Sequence, residues 1–321
     1  MNIALACALI ASAQGGPVVD RLKAEAAALG SLAETPLAKA YLGAVNTLPE
    51  PQPRTIWQDP ESKRFFADEK SAPAGSKAVE HDATFYYYTR YGSPLAYVRA
   101  IDLIGKLGID SFQNRRVADF GYGGIGPLRL IANLGGHGVG IDIDSRLKAL
   151  YSRREDTDKI MTRTTQGRIT LVEGFFPSDP KTVREVGTGY DIFLSKNTLK
   201  RGYVHPEKEV DKRMLVDLGV TDLEFCQRVH ELLKPKGLFV IYNLSPAQNP
   251  PDKPYIPWAD GRCPFSRTDL ERAGFEILSY DVVDDGTARQ MGRHLGWDKG
   301  LTQEAYEKDL FAHYTIARRK S

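Results

Sequence analysis

An α/β fold is predicted for this chain: a doubly wound, mostly parallel sheet with helices on both faces, preceded by a helical N-terminal extension. Three observations predict it. The apolar strand Val117-Ala118-Asp119-Phe120 runs into a glycine-rich turn and then into a helix that begins near Pro127. A second strand, Gly138-Val139-Gly140-Ile141-Asp142-Ile143-Asp144, ends in acids. Beyond it, strand-like and helix-like segments alternate, which implies parallel strands joined by helical crossovers.

Taken in order, the chain opens with the apolar residues 3–10 and then Ala11-Ser12-Ala13, which resembles a signal-peptidase site over residues 1–13. The run is too short to be a permanent membrane anchor. Residues 14–100 read as an extension. Residues 18–48 are rich in Ala and Leu at helical spacing, Pro49-Glu50-Pro51-Gln52-Pro53 breaks them, and residues 60–75 are charged and irregular. An aromatic stretch follows, with Tyr86, Tyr87, Tyr88 and Tyr91, and leads into a helix over 94–107. Each tyrosine hydroxyl needs a partner, so burying all four is costly. Tyr88 and Tyr91 are therefore expected to face a cleft or solvent.

Residues 101–321 carry the main domain. Gly121, Gly123 and Gly126 stand in G-x-G-x-x-G spacing after Asp119. Such glycines let the chain turn sharply and bring backbone N–H groups close to a ligand at a helix N-terminus. Asp142 lies 21 residues after Gly121, the interval at which an acid in this kind of unit accepts hydrogen bonds from ribose hydroxyls. A third strand is read around Arg168–Glu173 and a fourth from Tyr190. A fifth follows the turn Leu232-Leu233-Lys234-Pro235-Lys236-Gly237. A short helix over 266–274, with a Ser cap and a Gly stop, precedes two final strands at 275–281 and 310–318.

With Asp119 two residues before the first glycine, D-x-G-x-G-x-x-G resembles the first motif of the class I (Rossmann-like) S-adenosylmethionine-dependent methyltransferases. Leu232–Gly237 is similar to that family's L-K-P-G-G turn, with Lys236 in place of its first glycine. The resemblance covers about residues 101–321. It implies a seven-stranded sheet and S-adenosyl-L-methionine as cofactor. It also implies that Asp119, Gly121 and Gly123 surround the methionine end, with Gly126 completing the motif, and that Asp142 holds the ribose. The family's adenine contacts follow the third strand. Here that place reads Glu173-Gly174-Phe175-Phe176, so Glu173 is displaced by one position and Phe175 is the candidate to stack on adenine.

Methyl transfer requires alignment and exclusion of water, and a general base only where the acceptor carries a proton. The loop after the fourth strand, Ser195 to Pro206, opens at the sheet edge where ligands bind in such folds. His205 is its base candidate by ordinary pKa, with Asn197 and Tyr203 as further catalytic candidates and Lys196 as a substrate contact. Residues 245–265 hold six prolines together with Tyr255, Trp258, Asp260 and Arg262. They read as a rigid loop whose Tyr255 and Trp258 wall an acceptor pocket.

Composition limits the partners. A net charge of +2 gives no global basic field for nucleic acid, so none is expected. The basic run Lys196, Lys200, Arg201, Lys208, Lys212, Arg213 is interleaved with acids and reads as a solvated face. Cys7, Cys226 and Cys263 have neither metal-ligand nor disulfide spacing, and Cys226 reads as core. No metal is expected, and the acceptor is expected to be a small molecule. Two alternatives stay open. A nicotinamide-dependent oxidoreductase would have a small or apolar residue in place of Asp119. A non-catalytic S-adenosylmethionine-binding protein would suit export, whereas cofactor supply suits the cytoplasm.

Overall fold

The computed structural model of the protein describes residues 17–89 and 92–320; the proposed signal segment 1–13 and Tyr91 lie outside them. These residues divide into two compact units. One comprises 116–121 and 175–320, the other 17–89, 92–115 and 122–174.

The first unit carries five strands of the main sheet. Strand β4 (Arg116–Phe120) lies parallel to β8 (Tyr190–Lys196), with Asp119 opposite Leu194. Strand β8 is parallel to β9 (Leu233–Ser245), with Lys196 opposite Tyr242. Strand β11 (Phe311–Arg319) then adds antiparallel to β9, and β10 (Phe275–Val283) antiparallel to β11. The centre of β8 is buried on both faces, as continuous apolar runs in parallel strands require. Phe120, Phe176, Phe193, Phe225 and Phe239 interlock around it at centroid distances of 5.5–6.5 Å. Helix Asp222–Leu232 supplies Phe225. Its start is fixed by a capping box, in which the Thr221 hydroxyl accepts from the Glu224 N–H and the Glu224 carboxylate accepts from Thr221. The short helix Arg267–Arg272 has its predicted Ser266 cap. Lys236, in the turn where the resemblance expects glycine, adopts φ +66°, so the glycine-like backbone is kept with a lysine in it.

In the second unit β5 (His137–Asp142) is parallel to β7 (Gln166–Glu173), and Asp142 sits opposite Glu173. Strand β6 (Asp158–Met161) adds antiparallel to β7. The main sheet is mixed and mostly parallel, as predicted. Its described strands number eight rather than seven, and the addition is β6, a four-residue edge strand. The extension contains the expected helices at Val18–Leu29, Pro36–Gly43 and Val98–Gly105. It also folds a separate antiparallel sheet that the sequence reading missed. There β1 (Arg54–Gln58) is flanked by β2 (Phe65–Phe66) and β3 (Lys77–His81). Among the described residues no helix is long and apolar enough to cross a membrane.

Candidate functional site

The second unit holds the acid at the end of β5. Asp144 caps helix Ser145–Leu150: its carboxylate accepts from the Arg146 N–H at 2.9 Å and pairs with the Arg146 guanidinium at 2.8 Å. Asp142 has a different job. Its carboxylate accepts from the N–H of Asp144 at 3.0 Å and, weakly, from the N–H of Gly123 at 3.4 Å, which places it at the glycine loop. Burial pushes its pKa up, against the pull of those N–H groups. Gly123 itself is half-buried with φ +58°, a conformation glycine adopts without strain. Gly126 serves packing. It is buried at the start of helix Gly126–Asn133, where a Cβ would stand 2.6 Å from the ring of Pro94 and 3.0 Å from the Tyr87 carbonyl.

Glu173 ends β7 and is only 16% exposed. Its carboxylate pairs with Arg64, from the turn between β1 and β2, a contact no local pattern in the sequence announces. Large apolar Ile143, between Asp142 and Asp144, is left 61% exposed. Tyr88 departs from expectation: it is 4% exposed rather than facing a cleft. Arg21 stacks 4.8 Å over its ring, and Glu25, whose carboxylate accepts from the Ser93 hydroxyl, faces it. Neighbouring tyrosines also find inward partners. Tyr86 donates to Asp156 at 2.5 Å and Tyr87 to the Pro49 carbonyl at 3.0 Å, so the cost that argued for exposure is met for these two.

In the first unit Asp119 is buried near the end of β4. Gly121 follows with φ +71°, and a Cβ there would stand 2.0 Å from the Thr198 hydroxyl oxygen. The loop after β8 is knitted to the end of β9 and to the proline-rich loop. Asn197 accepts from the Leu244 N–H at 2.7 Å through its side-chain oxygen, while its own N–H donates to the Tyr242 carbonyl and to Asn243 Oδ1, each at 3.1 Å. Asn243 Nδ2 donates to the carbonyls of Leu199 and Gly261 at 2.8 and 2.9 Å. Asn197 thus holds the loop together, so its carbonyl is committed.

The basic run is split by the fold. Lys196 and Lys200 are buried, whereas Lys208, Lys212 and Arg213 are exposed, so the solvated-face reading fails for the first two. Lys200 Nζ donates to the carbonyls of Leu244 (2.5 Å) and Trp258 (3.0 Å) and lies 5.7 Å from the Tyr203 ring centroid. Burial pulls its pKa down to about 7; the Lys196 ammonium adds to this and the Asp260 carboxylate opposes it. His205 is half-exposed, with Nε2 2.8 and 3.0 Å from the two carboxylate oxygens of Asp222. With a proton on Nε2 directed at Asp222, Nδ1 is the basic nitrogen. Tyr255 and Trp258 are half-buried on the proline-rich loop, and burial raises the Tyr255 hydroxyl. Asp260 and Arg262 pair with each other at 2.8 Å. Phe175 is 56% exposed. Cys226 and Cys263 are buried, and among the described residues no cluster of His, Cys, Asp and Glu has the make-up of a metal site.

No protein-family model and no curated protein matches this sequence. Solved structures do resemble it. Phosphoethanolamine N-methyltransferase 2 from Haemonchus contortus, in complex with S-adenosyl-L-methionine, shares 13% identity over 91% of this chain and 76% of its own, with a TM-score of 0.41. The same enzyme with phosphomonomethylethanolamine and S-adenosylhomocysteine gives 15% identity and a TM-score of 0.45, over 74% of this chain and 57% of its own. An S-adenosylmethionine dependent methyltransferase from Mesorhizobium loti shares 16% identity over 70% of this chain and 98% of its own, with a TM-score of 0.42. Likeness at this level says nothing about chemistry, which has to be argued from the residues.

Proposed function

We propose that the chain is a metal-independent S-adenosyl-L-methionine-dependent methyltransferase that acts on a small-molecule acceptor. The observation that carries this reading is Asp142. It is not the helix cap, since Asp144 fills that role, and its carboxylate stands at the glycine loop with the Gly123 N–H directed at it. A carboxylate placed there is suited to a ribose diol, and the exposed side chain of Ile143 next to it offers an apolar face. These residues fit the cofactor's adenosine half.

Asp119 and Gly121 are assigned to the methionine end by their places in the motif, and Phe175 to the adenine ring. Gly126 is withdrawn from direct contact, because Pro94 and Tyr87 occupy the space its Cβ would need. When bound, S-adenosyl-L-methionine supplies an electrophilic methyl group on a sulfonium. The chain's part is to align the acceptor, exclude water and accept a proton where the acceptor has one to lose. His205 Nδ1 is the base, with its ring held by Asp222. Lys196 and Tyr203, from the loop after β8, contact the acceptor, and Tyr255 and Trp258 line its site. Asn197 and Tyr88 act by holding structure, given their internal partners.

Calorimetric titration with S-adenosylhomocysteine, beside NADH, tests the reading. Micromolar binding of S-adenosylhomocysteine alone, abolished in Asp142→Ala, is expected. Binding of NADH in its place, or of neither ligand, contradicts it.

A further inference from the structure

The turn between β1 and β2 and the first residue of β2 touch the end of β7 and the start of helix Ser145–Leu150. Arg64 pairs with Glu173, whose Cα partner across β5 and β7 is Asp142. One residue on, the Phe65 N–H donates to the Ser145 hydroxyl at 3.0 Å, and Arg146 stacks 5.4 Å from the Phe65 ring. Ser145 lies three residues beyond Asp142. The turn 59–66 is thereby fastened beside the carboxylate assigned to the ribose. Its own shape is fixed from within: the Asp59 carboxylate accepts from the N–H groups of Glu61 and Ser62, and the Asp59 main-chain N–H donates to the Arg64 carbonyl at 3.0 Å.

We propose that this turn is the outer wall of the adenosine end of the cofactor site, with Arg64 as its clamp and charge balance. The inference rests on the cofactor reading above. Neighbouring parallel strands run about 4.8 Å apart, so Asp142 and Glu173 place two carboxylates side by side at the sheet edge. Two carboxylates so placed repel unless a cation stands beside them. Arg64 neutralises the outer carboxylate. Its guanidinium, 58% exposed, keeps donors facing outward, where the purine edge and the ribose would lie.

The ion pair is exposed on the arginine side and adds little to folding, so Arg64→Ala is expected to leave the thermal midpoint close to wild type. Calorimetric titration of the full chain with S-adenosylhomocysteine is expected to show binding about tenfold weaker in Arg64→Ala, equivalent to about 1.4 kcal/mol. The ligand is also expected to slow tryptic cleavage after Lys63 and Lys70, both exposed, in the wild type and not in Asp142→Ala. Equal affinity of wild type and Arg64→Ala overturns the proposal while leaving the cofactor reading intact. No binding by the wild type overturns the cofactor reading and this proposal with it.

Discussion

A buried cation in each unit, Arg54 in one and Lys200 in the other, is answered differently. Arg54, on β1, is 7% exposed and forks onto Asp156, with Nη1 and Nη2 at 3.1 and 2.9 Å from its two oxygens. The Tyr86 hydroxyl and the Arg153 N–H complete the carboxylate's shell. Lys200, in the loop after β8, meets the carbonyl dipoles of Leu244 and Trp258. The first arrangement pairs a permanent charge with its opposite. The second meets its charge with carbonyl dipoles, and burial pulls its pKa to about 7 against the pull of the Asp260 carboxylate. The Arg54 charge is therefore permanent near neutrality and the Lys200 charge is not.

The largest effect is expected at Arg54. Arg54→Met strands the Asp156 carboxylate in the interior and should cost about 3–5 kcal/mol by denaturant unfolding, whereas Arg54→Met with Asp156→Leu should recover much of it. Lys200→Met removes a costly charge along with two donors. Its net effect on folding should be smaller, about 1–2 kcal/mol, with the damage local. Chymotryptic cleavage after Tyr255 and Trp258 should quicken, and an Arg54 variant of equal stability should not reproduce that pattern.

The pH dependence separates the two cations further. In the folded chain Lys200 titrates near 7, and in the unfolded chain in the ordinary lysine range. Between those values the unfolded state binds more protons, so stability rises with pH; below about 7 the penalty of the buried charge is fully felt. The wild type minus Lys200→Met difference in unfolding free energy should therefore shift in favour of the wild type from pH 6 to pH 9. The same difference taken with the Arg54→Met and Asp156→Leu double variant should stay flat over that range, since arginine does not titrate there and no stranded carboxylate is left. A sloping Arg54 difference or a flat Lys200 difference would refute the contrast.

What could be read in the sequence follows from the range of each interaction. Asp142, Gly121 and Gly123 belong to one local strand–turn–helix pattern, so their spacing carried their placement. The Ser266 cap was legible for the same reason. Lys236 misled nothing, because the turn keeps its glycine-like φ despite the side chain. The failures are all long-range. Lys200 looked solvated because acids interleave its neighbours, and only the fold shows that Trp258 and Leu244 close over it. The tyrosine stretch seemed to need solvent because Asp156 and Pro49, which take the hydroxyls of Tyr86 and Tyr87, lie far along the chain. Strands β1 and β3 were missed because 18 residues separate them, without the short turn that marks a hairpin. With that sheet went any sign of the Arg64–Glu173 pair.

A crystal structure with S-adenosylhomocysteine tests the central claim most directly. The account predicts the ribose hydroxyls within hydrogen-bond distance of the Asp142 carboxylate. A ligand whose ribose lies away from Asp142, or a chain that takes up no ligand from crystals grown with it, would contradict the account.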